Sequence, residues 1–153
     1  MSNVRGRNPM KRRGFTLIEL LVVIAIIGLL STLAVVALGS ARVKARDSKR
    51  LSDLKQVQTA LELYYTDKGA YPTSTDSLVL GGASARCLDG AGFKASCTNP
   101  YMGLVPDDPG STTYGYTSAA GTDYAITATL EGTIEQLSNG ITAKPSGIVD
   151  TSP

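Results

Sequence analysis

Gly14-Phe15-Thr16-Leu17-Ile18-Glu19-Leu20-Leu21-Val22-Val23 decides how this chain is organised. The stretch places one carboxylate just inside a long apolar run and a basic leader just before it. Residues 20–41 carry no charge at all, a run of 22. About 20 mostly apolar residues suffice to cross a ~30 Å hydrocarbon core. A charged side chain inside such a span costs about 2.5–3.5 kcal/mol, so Glu19 is a functional candidate by position alone.

At 153 residues the chain has room for one ordinary domain plus an extension. Its net charge of +2 conceals a strong segregation. Residues 1–14 carry Arg5, Arg7, Lys11, Arg12 and Arg13 with no acid, a net +5. Between residues 42 and 50, Arg42, Lys44, Arg46, Lys49 and Arg50 stand against Asp47, a net +4. From residue 51 onward five bases face eleven acids, a net −6. The order is basic leader, apolar span, basic stem, acidic head; losing the leader would change the formal charge from +2 to −3.

Histidine and tryptophan are absent, and Cys87 and Cys97 are the only cysteines. A thiol nucleophile would lack its usual base, and a zinc site would lack two of its four ligands. No constellation for acid/base or nucleophilic work stands out, so an enzyme is not expected and no catalytic residue, metal or cofactor is assigned. An even cysteine count after a membrane-crossing signal points to an oxidising compartment and one disulfide, Cys87–Cys97.

The leader suits a cytoplasmic segment held inside by its charge. The apolar run exceeds the 7–15 residues of an ordinary secretory signal, although Ala37-Leu38-Gly39 offers a competing small-x-small cleavage site before Ser40. Beyond Arg42, apolar residues recur as Leu51, Leu54, Val57, Leu61, Tyr64 and Tyr65, the three-four spacing of one helix face. No proline interrupts residues 15–71. One helix over residues 16–66 would be about 75 Å long, apolar all round in its first half and on one face in its second. Gly28 and Gly39 are its weak points. Asp67-Lys68-Gly69 ends it. An extended connection rich in Gly, Ser and Ala then runs to about residue 99 and contains both cysteines, whose crosslink would contribute about 2–3 kcal/mol.

The last third reads as strands. Tyr114 and Tyr116 alternate within 113–118, and Tyr124, Ile126, Ala128 and Leu130 share one face of 123–131. Asn139-Gly140 signals a hairpin between flanks near 134–138 and 141–144. The tail 145–153 reads as frayed. The expected fold class is α+β: a long N-terminal helix whose amphipathic half packs on a small antiparallel sheet of three or four strands. The segments are 1–14 leader, 15–41 membrane or filament-core helix, 42–66 amphipathic half, and 67–153 head.

Residues 14–23 behind Lys11-Arg12-Arg13 resemble the class III signal of type IV pilins and type II secretion pseudopilins. Tyr71-Pro72, Val105-Pro106-Asp107-Asp108-Pro109 and the Tyr114–Tyr116 strand are similar to pieces of pilin and pseudopilin heads. The resemblance implies a fold and a fate. Prepilin peptidase would cut after Gly14, and the new amino group of Phe15 would be methylated. Glu19 would attract the charged N-terminus of a neighbouring subunit and set filament register. At ~4 Å such a pair gains about 4 kcal/mol at an effective dielectric of 20, comparable to the cost of placing Glu19 in lipid. Against this stand an uncleaved signal anchor and a Glu19 that snorkels to water.

Several features stay open at this level. Ala25, Gly28, Ser31, Ala34 and Ala37 recur every three residues, either to let helices approach in a bundle or because small residues are common in membrane spans. The basic run 42–50 has three candidate partners: lipid head groups, acidic heads of neighbours, and DNA, which the acidic head argues against. Asp107, Asp108 and Asp123 fall where related pseudopilins bind calcium, but turn-forming aspartates fit better and no metal is assigned. The proline many pilins carry in the membrane half is missing here, which argues against the kink that the resemblance implies near Val36.

The resemblance therefore implies a structural pilus subunit that self-associates into a helical filament. The alternatives are a major-type pseudopilin of a type II secretion system and a membrane-tethered ligand-binding module. Its partners would be prepilin peptidase, an inner-membrane assembly platform with an ATPase acting indirectly, and the membrane before assembly; nucleic acid is not expected. Its place would be a single pass in the inner membrane with the head outside the cytoplasm, then an extracellular pilus or periplasmic pseudopilus.

Overall fold

The computed structural model describes residues 14–151 and divides the chain into two compact units, 1–39 and 40–153; the leader residues 1–13 lie outside the described part. Helix α1 (Leu17–Lys68) contributes to both. Among the described residues of the first unit it is the only element, and every one of them is exposed, including Leu17, Val22, Ile27, Leu33 and Val36. Among the described residues, nothing covers this apolar surface.

In the second unit α1 becomes one-sided. Leu54, Val57, Ala60 and Leu61 are buried at the three-four spacing of the sequence, while Lys49, Lys55 and Thr59 face away or lie at the edge. Each fully buried aliphatic side chain contributes roughly 1.5–3 kcal/mol. The helix stops at Lys68 because Gly69 adopts a left-handed φ of 73° and closes its N–H on the Tyr65 carbonyl at 2.7 Å.

The sheet beneath it comprises β1 (Ser74–Leu80), β4 (Tyr114–Ser118), β5 (Ala125–Ile134), β6 (Leu137–Lys144) and β7 (Gly147–Asp150), in the order β1-β4-β5-β6-β7, all antiparallel. Ile126, Ala128 and Leu130 alternate inward along β5, as the period of two requires, and meet Tyr114, Tyr116 and Ile141 in the core. A separate hairpin of β2 (Cys87–Asp89) and β3 (Gly92–Lys94) is tied on by the Leu88–Met102 bridge.

The architecture is the α+β one expected, with three local differences. Five strands form the sheet, because 74–80 pairs as β1 and the tail pairs as β7. Apolar Ile148 and Val149 give the tail something to add, and Gly147 at φ 134° turns it back. Asn139-Gly140 is not the hairpin turn. The turn is Glu135-Gln136, between the pair Ile134↔Leu137. Asn139 does adopt a left-handed φ of 49°, but opposite a bulge: between Thr129↔Gly140 and Thr133↔Ser138, β5 has three residues and β6 has one.

Candidate functional site

The N-terminal junction is built by a local hydrogen-bond exchange. Thr16 precedes the first helical residue, and its hydroxyl accepts the Glu19 N–H at 3.3 Å. The Glu19 carboxylate in turn accepts the Thr16 N–H and hydroxyl, both at 2.8 Å. This is a capping box, two otherwise orphaned donors satisfied reciprocally. The spacing Thr-x-x-Glu ahead of an apolar run is legible in the sequence, yet the sequence reading gives Glu19 an intermolecular role or a snorkelling one and no capping role. A lone subunit does not leave this carboxylate without a partner. Gly14 and Phe15 lie just upstream; Phe15 is 90% exposed, and a Cβ on Gly14 would meet nothing. The junction is thus accessible in the described chain, and Ala25, Gly28, Ser31, Ala34 and Ala37 are likewise exposed on α1.

The second polar centre lies where α1 meets the sheet. The β5 bulge removes the Glu131 and Gly132 N–H groups from the ladder, and the Asp47 carboxylate accepts both, at 2.9 and 2.8 Å. One helical turn on, the Arg50 side chain is fully buried. Its Nε and Nη2 donate to Asp108 at 2.7 and 2.9 Å, and its Nη1 lies 2.7 Å from Asp47 and 2.8 Å from Glu131. Arg46 closes the rim by a bidentate pair with Glu131. Beside them Lys49 reaches Asp53 at 3.3 Å, and the Tyr114 hydroxyl donates to Asp53 at 3.0 Å. The hydrogen bonds from Arg50 lower the Asp108 carboxyl to about 2, and the Arg46 bonds lower Glu131 to about 2. The Asp108 bonds raise the Arg50 guanidinium further above its ordinary range. Gly110 is required beside them, since a Cβ there would lie 2.7 Å from Arg50 Nη2.

This arrangement redistributes residues that the sequence grouped otherwise. Of the basic run, Arg46, Lys49 and Arg50 are engaged inside the head, whereas Arg42 and Lys44 are exposed and make no ion pair among the described residues. Asp107, Asp108 and Asp123 do not converge. Asp108 holds Arg50, while Asp107 and Asp123 each accept the N–H of the following residue. No metal-competent cluster occurs among the described residues. The buried network had no signal in spacing, because Asp108 and Glu131 lie 58 and 81 residues from Arg50.

Cys87 and Cys97 are joined, with Cα atoms 6.1 Å apart, around the β2–β3 hairpin. The same segment docks on the end of α1. Tyr101 meets Tyr64 edge-on at 5.5 Å and donates its hydroxyl to Asp67, which raises that phenol to about 12.

A helix that is apolar and exposed in its first half and covers an antiparallel sheet with its second, headed by Gly-Phe-Thr-x-x-Glu, defines the pilin-like class. Residues 9–39 match the prokaryotic N-terminal methylation motif, and residues 37–141 match the protein G family of the type II secretion system. The chain belongs to that protein G family, a family of structural pseudopilins and not of enzymes. It is 31% identical over 150 residues to type II secretion system core protein G of Dickeya chrysanthemi, covering 92% of this chain and 82% of the relative. It is 44% identical over 68 residues to core protein G of Escherichia coli strain K12, a match spanning 44% of this chain and 47% of that relative. It is also 32% identical over 122 residues to the fimbrial protein EcpC of Eikenella corrodens, covering 80% of this chain and 65% of the relative. No solved structure matches it significantly.

Proposed function

We propose that this chain is a major-type pseudopilin. It is cut after Gly14 by prepilin peptidase, methylated at Phe15, held in the inner membrane by residues 15–41, and assembled through α1 into a periplasmic pseudopilus. The observation that carries this is the pairing of a methylation motif over 9–39 with a protein G match over 37–141, on a helix whose apolar half no described residue covers. The pseudopilus takes precedence over the surface pilus that headed the sequence expectation, because the protein G match runs over residues 37–141, through the stem and most of the head, where the methylation motif does not reach. The likeness to a fimbrial protein keeps the pilus as the second reading.

Glu19 serves two roles in this scheme, capping α1 within a subunit and attracting the Phe15 amine of the next. Glutamine caps as glutamate does, so Glu19→Gln separates the roles. Glu19→Gln is expected to leave a processed, helical membrane protein that forms no filaments. Glu19→Ala is expected to lose the cap as well. Normal filaments from Glu19→Gln would refute the charge role. Intact-mass and N-terminal sequencing of the filament fraction is expected to find a chain beginning at methylated Phe15; one beginning at Ser40 would overturn the proposal. Fibres only on overexpression support the pseudopilus, and long sheared fibres at native levels support the pilus.

A further inference from the structure

The apolar core of the second unit does not by itself fix where α1 sits along the sheet. A screw of three residues, about 4.5 Å along the axis and about 60° around it, brings residue n+3 into the place of residue n. Val57 then stands where Leu54 was, Ala60 for Val57, Leu63 for Ala60, and Tyr64 for Leu61. All four inward places remain apolar, with two smaller and two larger side chains. Leu63, now 54% exposed, would become buried. The four buried places therefore admit two registers, with Asp67 replacing the half-buried Tyr64 only at the end of the face.

The ionic residues tolerate one. The same screw puts Arg50 in the place of Asp47, so that a guanidinium confronts the Glu131 and Gly132 N–H groups, donor against donor. It puts Asp53 in the place of Arg50, against the buried Asp108. Like charges in that position are strongly unfavourable once removed from water. Arg46 alone is replaced in kind, by Lys49.

We propose that Asp47 and Arg50 on α1, with Asp108 and the Glu131-Gly132 bulge on the head, form a register key that selects the observed axial position of helix on sheet. Asp47 and Arg50 are positioning residues. Buried polar groups are best attested in this role, as specifiers of register that add little net stability. Under the proposed function, the key also decides where the head stands on the helix that packs into the filament. That consequence rests on the functional proposal; the key itself does not.

The test is made on the full-length chain in detergent, before any assembly, so failure of the filament proposal leaves it unaffected. A Cβ on Gly132 lies 3.4 Å from Val43 Cγ1, so Val43→Cys with Gly132→Cys reports the native register. Arg46→Cys with Gly132→Cys reports the slipped one. Peptide mapping separates either crosslink from Cys87–Cys97. In the parent chain the 43–132 crosslink is expected to form faster. Arg50→Asp with Asp53→Arg rebuilds the key one turn along, placing Asp at position 50 on the bulge and Arg at position 53 on Asp108 after the slip. There the 46–132 crosslink is expected to dominate; a retained 43–132 preference overturns the key. Should that chain fail to fold, Asp108→Asn decides. The ratio of native to slipped crosslinking is expected to fall by at least about tenfold, within what loss of a buried partner supplies. An unchanged ratio overturns the proposal.

Discussion

Replacing Arg50 with methionine keeps the aliphatic stem and removes the charge. Asp108 and Asp47 remain as two carboxylates within reach of the same vacated guanidinium, both essentially inaccessible to water. Breaking a buried pair by deleting one partner costs about 3–5 kcal/mol, and that is the loss expected at pH 7. The pH dependence is more diagnostic. In the native chain the Asp108 carboxyl titrates at about 2 against an ordinary 3.8, first because Arg50 hydrogen-bonds it. A carboxyl lowered on folding adds stability above its unfolded value and loses it as pH falls through the folded one. At about 1.4 kcal/mol per unit this is about 2 kcal/mol, lost between roughly pH 5 and pH 2. Arg50→Met lacks that contribution, so the gap between native and variant chains is expected to narrow by about 2 kcal/mol on acidification. Urea titration in nonionic detergent, followed by the near-UV dichroism of the seven tyrosines, measures both quantities. A loss below 1 kcal/mol at pH 7, or the same acid slope in both chains, would refute the buried network as an energetic unit. Adding Asp108→Leu to Arg50→Met is expected to recover much of the loss, since a well-packed apolar pair substitutes for a buried ionic one.

Gly110→Ala drives a methyl to within 2.7 Å of Arg50 Nη2, and overpacking of this kind costs about 1–3 kcal/mol in the same urea titration. Cys87→Ser with Cys97→Ser opens a loop of sequence separation 10 and is expected to lower stability by about 2–3 kcal/mol, matching the effect of reductant on the native chain. Tyr101→Phe removes the phenol that titrates at about 12, visible as a missing step in the alkaline absorbance titration at 295 nm, with the fold otherwise unchanged.

The sequence carried the helix, its end at Gly69, the inward face of β5 and the fold class, because each depends on a local period or a single backbone preference. It carried the Gly14-Phe15 junction and Glu19 as candidates, since a carboxylate in an apolar run is conspicuous wherever it folds. What escaped is non-local. Strand β1 has little alternation of its own and exists because β4 offers an edge. Asn139 has the backbone chemistry of a turn but adopts it opposite a bulge, and only the pairing of β5 with β6 tells the two apart. Arg50 stands in the sequence as one of five bases whose candidate partners all lie outside its own head, and nothing within ten residues announces Asp108. The Thr16–Glu19 capping box was legible and missed; an intermolecular role for the carboxylate drew attention from its neighbour three residues back.

The basic stem illustrates how charge divides its work in a subunit of this kind. Three of its five cations are committed within the head, and the described part of the first unit presents mainly apolar side chains, a few hydroxyls and a single carboxylate. Apolar contact is non-directional and scales with area, so helices packed on such a surface gain cohesion without gaining a unique arrangement. Direction has to come from the few polar groups left. Within the head the Asp47–Arg50–Asp108 network supplies it, by making one axial position of helix on sheet acceptable of the two that the buried apolar places allow. Between subunits, under the proposed function, Glu19 is the polar group placed to do the same. The two carboxylate-centred sites thus solve one problem at two scales: each imposes a register on a surface whose hydrophobicity alone would leave it free to slide.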